Sequence, residues 1–524
     1  MAQQTGHRDG AEDGRAIPEH VDVLIVGAGI SGIGAAYHLQ HDHPKRSYLI
    51  AEQRADLGGT WDLFRYPGIR SDSDLFTFSY TFRPWTEPEA IAEGGKILDY
   101  VRATAAEYGI DRHIAFRHAV VGAAWSSDEA RWTVQLMRTD EDGTTRAVTV
   151  TASWVFAAGG YYRYEAGFTP EFAGREDFRG EIVHPQAWPE DLDYAGKKVV
   201  IIGSGATAVT LAPAMAERGG QITVLQRTPT YLVSLPRKER LAIWTTRLLG
   251  VRRAFRITRW KNIVRQMIVF RFAQRFPRIT RALIRAAVKA RLPRGYPVDT
   301  HFKPPYDPWD QRLCVVPDGD FFREIRQGRV EMVTDRIARF DERGIVLESG
   351  AHLEADVIIT ATGLDVQPFG GVPISVDGED VDLAKTVVYK GMMLSGVPNL
   401  AFAIGYTNSS WTLKIDLLCE HFGRILELMD SRDAEIAVPE APEAMDTRPF
   451  FDFGAGYIRR AEGRLPRQGD RAPWLTSMSY WEDVKLLRRS PVADDANLHL
   501  HRRPGSAAGA DPAAARTGTA AVGG

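Results

Sequence analysis

Two glycine-rich turns, each directly after an apolar segment, constrain the fold of this chain more than any other feature. The first apolar segment is "VDVLIVGAG" at 21–29, and the second is "KKVVIIGSG" at 197–205. Each turn leads into a segment with helical spacing, so the pattern of strand, glycine turn and helix occurs twice. Such units build parallel sheets flanked by helices. The sequence therefore predicts an α/β fold with two Rossmann-like dinucleotide-binding domains.

The small residues of these turns have separate physical tasks. The first permits a tight turn, the second lets a pyrophosphate approach the backbone, and the third lets the helix pack closely on the strand. The start of the helix then offers N–H donors to the phosphate. Alanine, which the second turn has at position 208, is tolerated as the third small residue. The residues expected to bind the nucleotides are Gly27, Gly29 and Gly32 in the first turn, and Gly203, Gly205 and Thr207 in the second.

The strands that follow the two turns end in residues of opposite charge. "YLIAEQR" at 48–54 ends with Glu52, whereas "TVLQRTPT" at 223–230 ends with Arg227 and Thr228. A carboxylate accepts hydrogen bonds from ribose hydroxyls and repels a 2′-phosphate, which a guanidinium and a hydroxyl can bind. The first site therefore suits FAD or NAD, and the second suits NADPH. The alternative for Arg227 is a surface ion pair.

Two dinucleotide sites in one chain suggest that hydride passes from a nicotinamide to a flavin. The two cysteines, Cys314 and Cys419, lie far apart and form neither a CxxC pair nor a metal-ligand spacing. This spacing argues against a disulfide reductase and against a zinc site, and it favours two buried thiols. Molecular oxygen, a quinone or another small molecule remains as the electron acceptor.

The ends of the chain and its charge add little about function. No apolar run reaches the roughly 18 residues of a membrane span, and the polar start lacks a signal-peptide core, so a cytoplasmic protein is expected. The stretches 1–20 and 503–524 are poor in large apolar side chains, and we expect both to be disordered. The net charge of −2 indicates no particular partner.

The segment 236–303 differs in composition from the rest of the chain. It contains 19 Lys or Arg against two acidic residues, which gives it a charge of +17. Trp244, Leu248, Val251 and Phe255 recur at helical spacing, so a basic helical insertion is expected. Its basic face could simply be solvated, or it could contact an anionic membrane as a peripheral surface. No recognition motif accompanies the charge, so nucleic acid is not expected as a partner.

Three further stretches carry a family resemblance. "FRGEIVHPQAWP" at 178–189 matches the pattern FxGxxxHxxxW, with Phe178, Gly180, His184 and Trp188 in register. This pattern and the stretches at 58–74 and 307–317 resemble the Baeyer–Villiger monooxygenases, which are class B flavoprotein monooxygenases, and most closely their actinobacterial branch. Related N- and S-oxygenases usually have tyrosine at the position of Trp188. The resemblance covers roughly residues 20–500.

The resemblance implies a reaction with FAD, NADPH and O₂. NADPH reduces FAD, oxygen adds at the flavin C4a position, and the peroxyflavin converts a ketone to an ester or lactone. Sulfides and thioamides are expected as further substrates. By position, Arg312 stabilises the reacting oxygen species, Asp72 orients Arg312, and Gly59, Thr60 and Trp61 lie beside the flavin. A plain ion pair of Arg312 with Asp72 is the alternative.

Two other positions carry expectations from the family. The resemblance gives His184 a role in coupling the two nucleotide domains, while a histidine satisfied within a linker is the alternative. Gln311 replaces a lysine that often helps to bind NADPH, so coenzyme affinity or selectivity could be weaker than Arg227 alone indicates. The tyrosines at 161, 162 and 164 are interpreted as packing residues.

The expected organisation places FAD in a domain built from 21–165 and 360–502. The NADPH domain then spans 166–359 and includes the helical insertion. Three rival functions stay open: an N- or S-oxygenase without ketone activity, an NADPH oxidase that releases hydrogen peroxide, and a degenerate flavoprotein that serves as a membrane-bound scaffold. The sequence predicts neither the natural substrate nor the oligomeric state.

Overall fold

The structure is a computed structural model that describes residues 17–311, 313–451, 454, 456–492 and 496–505. Most of the two expected tails, 1–20 and 503–524, lies outside these residues. Arg312 lies outside them as well.

The β-strands extend from the beginning of the described chain almost to its end. They are β1 (His20–Val26), β2 (Tyr48–Ala51), β3 (Ile114–Ala115), β4 (His118–Ser126), β5 (Arg131–Thr139), β6 (Thr145–Ala157), β7 (Glu181–Val183), β8 (Lys198–Ile202), β9 (Gln221–Gln226), β10 (Leu232–Leu235), β11 (Cys314–Pro317), β12 (Val330–Thr334), β13 (Ile337–Asp341), β14 (Gly344–Leu347), β15 (His352–Glu354), β16 (Val357–Thr360), β17 (Ile374–Val376), β18 (Glu379–Asp380), β19 (Val388–Tyr389), β20 (Met393–Leu394), β21 (Leu400–Phe402), β22 (Ile436–Pro439), β23 (Thr447–Pro449), β24 (Arg467–Gly469) and β25 (Leu498–His501).

The α-helices are distributed over the whole described chain. They are α1 (Ile30–Asp42), α2 (Thr60–Leu63), α3 (Leu75–Phe78), α4 (Gly94–Glu107), α5 (Ala206–Glu217), α6 (Arg240–Leu249), α7 (Val251–Arg275), α8 (Pro277–Lys289), α9 (Val298–His301), α10 (Asp320–Arg326), α11 (Trp411–Arg432), α12 (Gly456–Ala461) and α13 (Tyr480–Asp483).

The first sheet contains the first glycine turn. Its strand order is β18-β17-β4-β5-β6-β1-β2-β3, and β21 pairs with β6. β6, β1, β2 and β3 are parallel, whereas β4 and β5 form antiparallel pairs beside them. Val23, Leu24 and Ile25 of β1 are all buried, as expected for a parallel strand covered on both faces. Helices α1, α4 and α11 contribute to the core on one of these faces.

The second sheet contains the second glycine turn. Its order is β12-β9-β8-β16-β7, and every pairing in it is parallel. α5 packs against it through Val209, Leu211 and Met215, and α10 through Phe321 and Phe322. The two sheets, each with a strand, glycine turn and helix, confirm the predicted α/β fold with two Rossmann-like units.

The basic segment 236–303 is helical, as predicted. It forms α6 to α9 and lies between β10 and β11, which pair in parallel and so close the base of the insertion. Trp244, Leu248 and Val251 are exposed, and only Phe255 of that predicted apolar face is buried. The apolar spacing therefore identifies the helices correctly but does not identify a buried face.

Two smaller predictions can be compared with the structure. Cys314 and Cys419 are both buried, which confirms the expectation of buried thiols. Among the described residues, no helix combines the length and the hydropathy needed to cross a lipid bilayer.

Candidate active site between the two sheets

A cavity of about 1260 Å³ reaches both glycine-rich turns. Gly32 does not line it, and Arg312 lies outside the described residues. All other expected site residues line this cavity: Gly27, Gly29, Glu52, Gly59, Thr60, Trp61, Asp72, Gly203, Gly205, Thr207, Arg227 and Thr228. The fold thus brings together residues that are up to 201 positions apart, from Gly27 to Thr228.

The first turn is shaped by close backbone contacts. Gly27 has φ of +97°, which favours glycine. An added Cβ at Gly32 would lie 1.9 Å from the carbonyl oxygen of Gly27, so this residue serves the packing of α1 on the turn. α1 begins after Gly29 without a side-chain cap and without an acidic residue in its first turn. Its free N–H donors therefore suit an anion in the cavity.

Glu52 lies next to the first turn, directly after β2. Its carboxylate accepts a hydrogen bond of 2.7 Å from the Ala28 N–H and one of 2.9 Å from the Arg54 N–H. Burial raises the pKa of Glu52, and these two N–H donors act in the opposite direction. Because a carboxylate has about four acceptor positions, two remain for hydroxyl groups of a ligand.

The segment after Gly58 lies directly against the first turn. The Gly58 N–H donates to the Ala28 carbonyl over 3.0 Å. Gly59 has φ of +57°, and an added Cβ there would lie 3.0 Å from Gly29 Cα and 3.3 Å from the Tyr164 hydroxyl. This approach brings Thr60 and Trp61 to the cavity wall.

The second turn combines a tightly packed first glycine with open space beside its second glycine. Gly203 has φ of +131°, and an added Cβ would lie 2.3 Å from the Ala361 carbonyl oxygen. An added Cβ at Gly205 would meet nothing within 4 Å, although Gly205 lines the cavity. α5 begins after Gly205 without a side-chain cap. The turn therefore offers backbone donors and room for a phosphate.

Arg227 follows β9 at the same edge of the second sheet. It is exposed and lines the cavity, and it has no ion-pair partner among the residues the structure describes. Thr228 beside it accepts a hydrogen bond of 3.0 Å from the Ser204 hydroxyl at its carbonyl oxygen. This bond fixes the end of β9 to the glycine turn.

Asp72 belongs to a segment that links the two sheets. Gly68 of this segment lies so close to α5 that an added Cβ would be 2.9 Å from the Thr210 carbonyl oxygen. Burial raises the pKa of Tyr66 to about 12, while a hydrogen bond with Thr207 lowers it and the charge of Asp72 raises it. Asp72, from the same segment as Tyr66, and Thr207, at the start of α5, therefore both lie near the Tyr66 side chain.

The linker that carries His184 holds a segment that lines the cavity. His184 Nδ1 accepts a hydrogen bond of 3.2 Å from the Gln186 N–H. The Gln186 side chain donates to the carbonyl oxygens of Arg163 and Tyr164 over 2.8 and 2.9 Å. Burial lowers the pKa of His184, which favours its neutral form. The linker thus fixes the segment that presents Tyr164, and domain coupling by His184 stays a prediction.

Several cavity residues were not among the expected site residues. Tyr161, Tyr162 and Tyr164 line the cavity, although their sequence pattern favours a packing role. Arg336 also lines it, because β12 pairs with β9 in a register that places Thr334 opposite Gln226. No local sequence signal identifies Arg336, since this pairing joins segments about 110 residues apart.

The C-terminal half of the chain also contributes residues to the cavity wall. Trp411, at the start of α11, donates from Nε1 to the Ser31 hydroxyl over 2.8 Å. The guanidinium of Arg460 lies 3.5 Å from the centre of the Phe168 ring. Tyr406 and Ser409, from the stretch "GYTNSSW", line the cavity as well. Aromatic rings therefore enclose much of the space between the two turns.

Comparisons with known proteins agree with this architecture. The family described as "Flavin-binding monooxygenase-like" matches residues 21–397. The FAD-containing monooxygenase EthA of Mycobacterium tuberculosis is 52% identical over 488 residues, which cover 93% of this chain and 99% of that protein.

Two solved structures share the fold. An oxidized steroid monooxygenase bound to NADP has a TM-score of 0.67 at 24% identity, with 81% of this chain and 88% of that chain covered. Cyclohexanone monooxygenase, in an open crystal structure, has a TM-score of 0.68 at 23% identity, with 82% and 91% covered. The sequence resemblance to flavoprotein monooxygenases is confirmed, and the chain belongs to the flavin-binding monooxygenase-like family.

Proposed function

We propose that the protein is an NADPH- and O₂-dependent FAD monooxygenase that converts ketones to esters or lactones. Oxygenation of sulfides and thioamides is proposed as an additional activity. The observation that carries the proposal is the shared cavity, which is lined by a glycine turn followed by Glu52 and by a second turn followed by Arg227. Trp188 in the FxGxxxHxxxW pattern supports ketone chemistry over pure N- or S-oxygenation.

The first turn fits FAD. Gly27 and Gly29 would hold its pyrophosphate at the uncapped start of α1, and Glu52 would accept hydrogen bonds from ribose hydroxyls with its remaining acceptor positions. Gly59, Thr60 and Trp61 would lie along the bound cofactor. The related EthA is named as FAD-containing, which supports the same assignment.

The second turn fits NADPH. Gly203, Gly205 and Thr207 would hold the pyrophosphate at the start of α5, where the space beside Gly205 is open. Arg227 and Thr228 would bind the 2′-phosphate, with Arg336 as a second cation at the same sheet edge. A structure with the same fold is bound to NADP, which supports the choice of coenzyme.

Side chains of this protein would exclude water from the cofactors and stabilise charge that develops during the reaction. Bound FAD would accept a hydride from NADPH and activate dioxygen. The buried Tyr161 and the half-buried Trp411 would exclude water from the space between the nucleotides. Asp72 would orient Arg312, whose permanent positive charge would stabilise developing negative charge on oxygen without donating a proton. This role of Arg312 is proposed from the sequence.

Product analysis under labelled dioxygen tests the proposed reaction. The FAD-loaded protein is incubated with NADPH, a panel of cyclic and linear ketones, and a sulfide, and the products are identified by mass spectrometry. We expect an ester or lactone that contains one labelled oxygen atom per molecule. Sulfoxide without any ester would favour the S-oxygenase alternative. NADPH consumption matched by hydrogen peroxide alone, with every substrate, would favour the oxidase.

A further inference from the structure

The insertion carries an unusual concentration of exposed apolar side chains. Trp244, Trp260 and Leu283 expose 62%, 60% and 60% of their surfaces. Among the described residues, every exposed large hydrophobic side chain except Val121 lies on α6, α7, α8 or directly beside them. The others are Leu248, Leu249, Val251, Ile257, Ile268, Val269, Phe272, Phe276 and Ile279. Exposed patches of this kind mark interaction surfaces.

One face of α7 is firmly bound to the protein. Arg259 donates to the carbonyl oxygens of Phe76, Thr77 and Ser79 over 3.0, 3.0 and 2.8 Å. Asn262 and Gln266 donate to the buried Asp74 carboxylate over 2.8 and 2.7 Å. These contacts fix the rotation of the helix, so its opposite face points away from the protein.

The opposite face of α7 is both apolar and basic. Ile257, Trp260, Ile268 and Phe272 are spaced so that they share this side of a 3.6-residue helix. Arg253, Arg271 and Arg275 lie on the same side, Arg256 lies at its edge, and all four are exposed. None of these four arginines has an acidic partner within the described residues.

We propose that the surface formed by α6, α7 and α8 docks on a lipid bilayer that contains anionic lipids. A bilayer interface suits both the apolar and the basic side chains of this surface. Trp, Ile and Leu would enter the region where the headgroups meet the acyl chains, and Arg and Lys would remain at the lipid phosphates. A second copy of the chain would bring two strongly basic segments together, each with a net charge of +17 over 236–303, and nucleic acid would leave the apolar side chains without partners. The inference does not depend on the proposed reaction.

Vesicle sedimentation of the FAD-loaded protein tests the inference. Vesicles of phosphatidylcholine alone are compared with vesicles that also contain phosphatidylglycerol, at low and at high salt. We expect sedimentation with the anionic vesicles at low salt and much weaker sedimentation at high salt. Absence of binding to anionic vesicles at low salt would overturn the inference.

Two sets of variants separate the charged and the apolar contributions. The triple variant Arg253→Glu, Arg271→Glu and Arg275→Glu should weaken vesicle binding by about 100-fold or more, since each lost cation near the surface contributes roughly fivefold. The double variant Trp260→Ser and Leu283→Ser should weaken it by at least about tenfold. The control triple variant Arg175→Glu, Arg218→Glu and Arg326→Glu has the same net charge change outside the insertion and should bind as the parent does.

Other results would contradict the inference. If the control triple variant loses as much binding as the insertion variant, net charge rather than this surface governs the attraction. If the apolar double variant binds unchanged, the exposed side chains do not enter the bilayer. If the protein is a dimer in solution and the apolar double variant is monomeric, a second copy covers the surface instead.

Discussion

At the residue scale, the two glycine turns use their glycines for different purposes. Gly32 is required by the fold itself, because an added Cβ would lie 1.9 Å from the Gly27 carbonyl oxygen. Gly205 has open space around it and faces the cavity. A substitution by alanine therefore separates a packing role from a ligand role.

We expect Gly32→Ala to lower stability by at least about 1–3 kcal/mol, the usual cost of overpacking, and to reduce FAD retention. Gly205→Ala should leave the thermal midpoint of the protein unchanged and raise the KM for NADPH, because the methyl group would occupy space needed by the pyrophosphate. Thermal unfolding and steady-state kinetics measure both effects. A large loss of stability in Gly205→Ala, with normal coenzyme kinetics, would contradict this assignment.

Arg227 is expected to distinguish the two nicotinamide coenzymes. Arg227→Ala should raise the KM for NADPH by roughly 10- to 100-fold, the worth of a charge-assisted hydrogen bond, and leave NADH kinetics nearly unchanged. Arg336→Ala should shift NADPH kinetics in the same direction, and the exposed Arg326→Ala on α10 serves as the control. Equal losses with both coenzymes would show that Arg227 does not read the 2′-phosphate.

His421 makes stability dependent on pH. Burial, with a further effect of the Lys390 charge, lowers the pKa of His421 to about 3, and its Nδ1 lies 2.8 Å from the Leu487 carbonyl oxygen. The unfolded chain takes up the proton near pH 6.5, so the contribution of this residue to stability falls as pH decreases from about 6.5 towards 3.

Between pH 6.5 and 5 this contribution amounts to about 2 kcal/mol, at about 1.4 kcal/mol per pH unit. The variant His421→Asn, whose side chain does not titrate, should show a correspondingly smaller loss of stability over this interval. Urea unfolding at the two pH values measures the difference, and His41→Asn at an exposed position is the control. An identical pH dependence in His421→Asn and the parent protein would rule out this contribution.

Sequence predicts some site residues well and others not at all. Glu52, Arg227 and Thr228 follow strands at a fixed distance after a glycine turn, so the local pattern identifies them. Arg336 reaches the cavity through the long-range pairing of β12 with β9, and Tyr164 through the approach of its segment to Gly59. Such contacts depend on tertiary structure and leave no local pattern in the sequence.

At the scale of elements, α7 combines a buried anchor with an exposed surface. Arg259 is buried and binds three carbonyl oxygens and, over 3.5 Å, the Asp416 carboxylate of α11. Burial acts to raise the pKa of Asp416, but a hydrogen bond with His38 and the charge of Arg259 outweigh it, so the pKa lies below its usual value. The anchor therefore depends on a charged carboxylate.

Removal of this anchor should cost substantial stability. Arg259→Leu would leave a buried carboxylate with fewer partners and would remove a charged donor from three carbonyl oxygens, so we expect a loss of about 3–5 kcal/mol. Arg256→Leu, at an exposed position one turn away, should change stability by less than about 0.5 kcal/mol. Chemical denaturation of both variants measures the difference, and similar small effects would argue against the anchor.

The helices of the insertion show what the hydrophobic periodicity of a sequence predicts and what it does not. The apolar spacing in 236–303 predicts helices correctly, because any amphipathic helix has this period, but it does not show which face meets the protein. For α7, polar residues such as Arg259 and Asn262 face inward, and apolar ones such as Trp260 face outward. The domain boundaries proposed from the sequence, 21–165, 166–359 and 360–502, stay predictions.

At the scale of the whole molecule, the chain leaves the first sheet, builds the second, and returns. The strands of the first sheet come from 20–157 and 374–402, and those of the second come from 181–360. This order places the carboxyl ends of β1 and β8, with their glycine turns, at one cavity. Ligands of parallel sheets bind at such carboxyl ends. The architecture therefore suits two nucleotides that react with each other.

The measurement that tests this central claim is the reduction of bound FAD by NADPH in the absence of oxygen. We predict that NADPH bleaches the flavin absorbance completely, with a first-order rate constant that saturates with NADPH and does not change when the protein is diluted. Such behaviour requires that both nucleotides bind within one stable protein unit, as the shared cavity predicts. A flavin that NADPH does not reduce, or a rate constant that falls in proportion to dilution of the protein, would contradict the account.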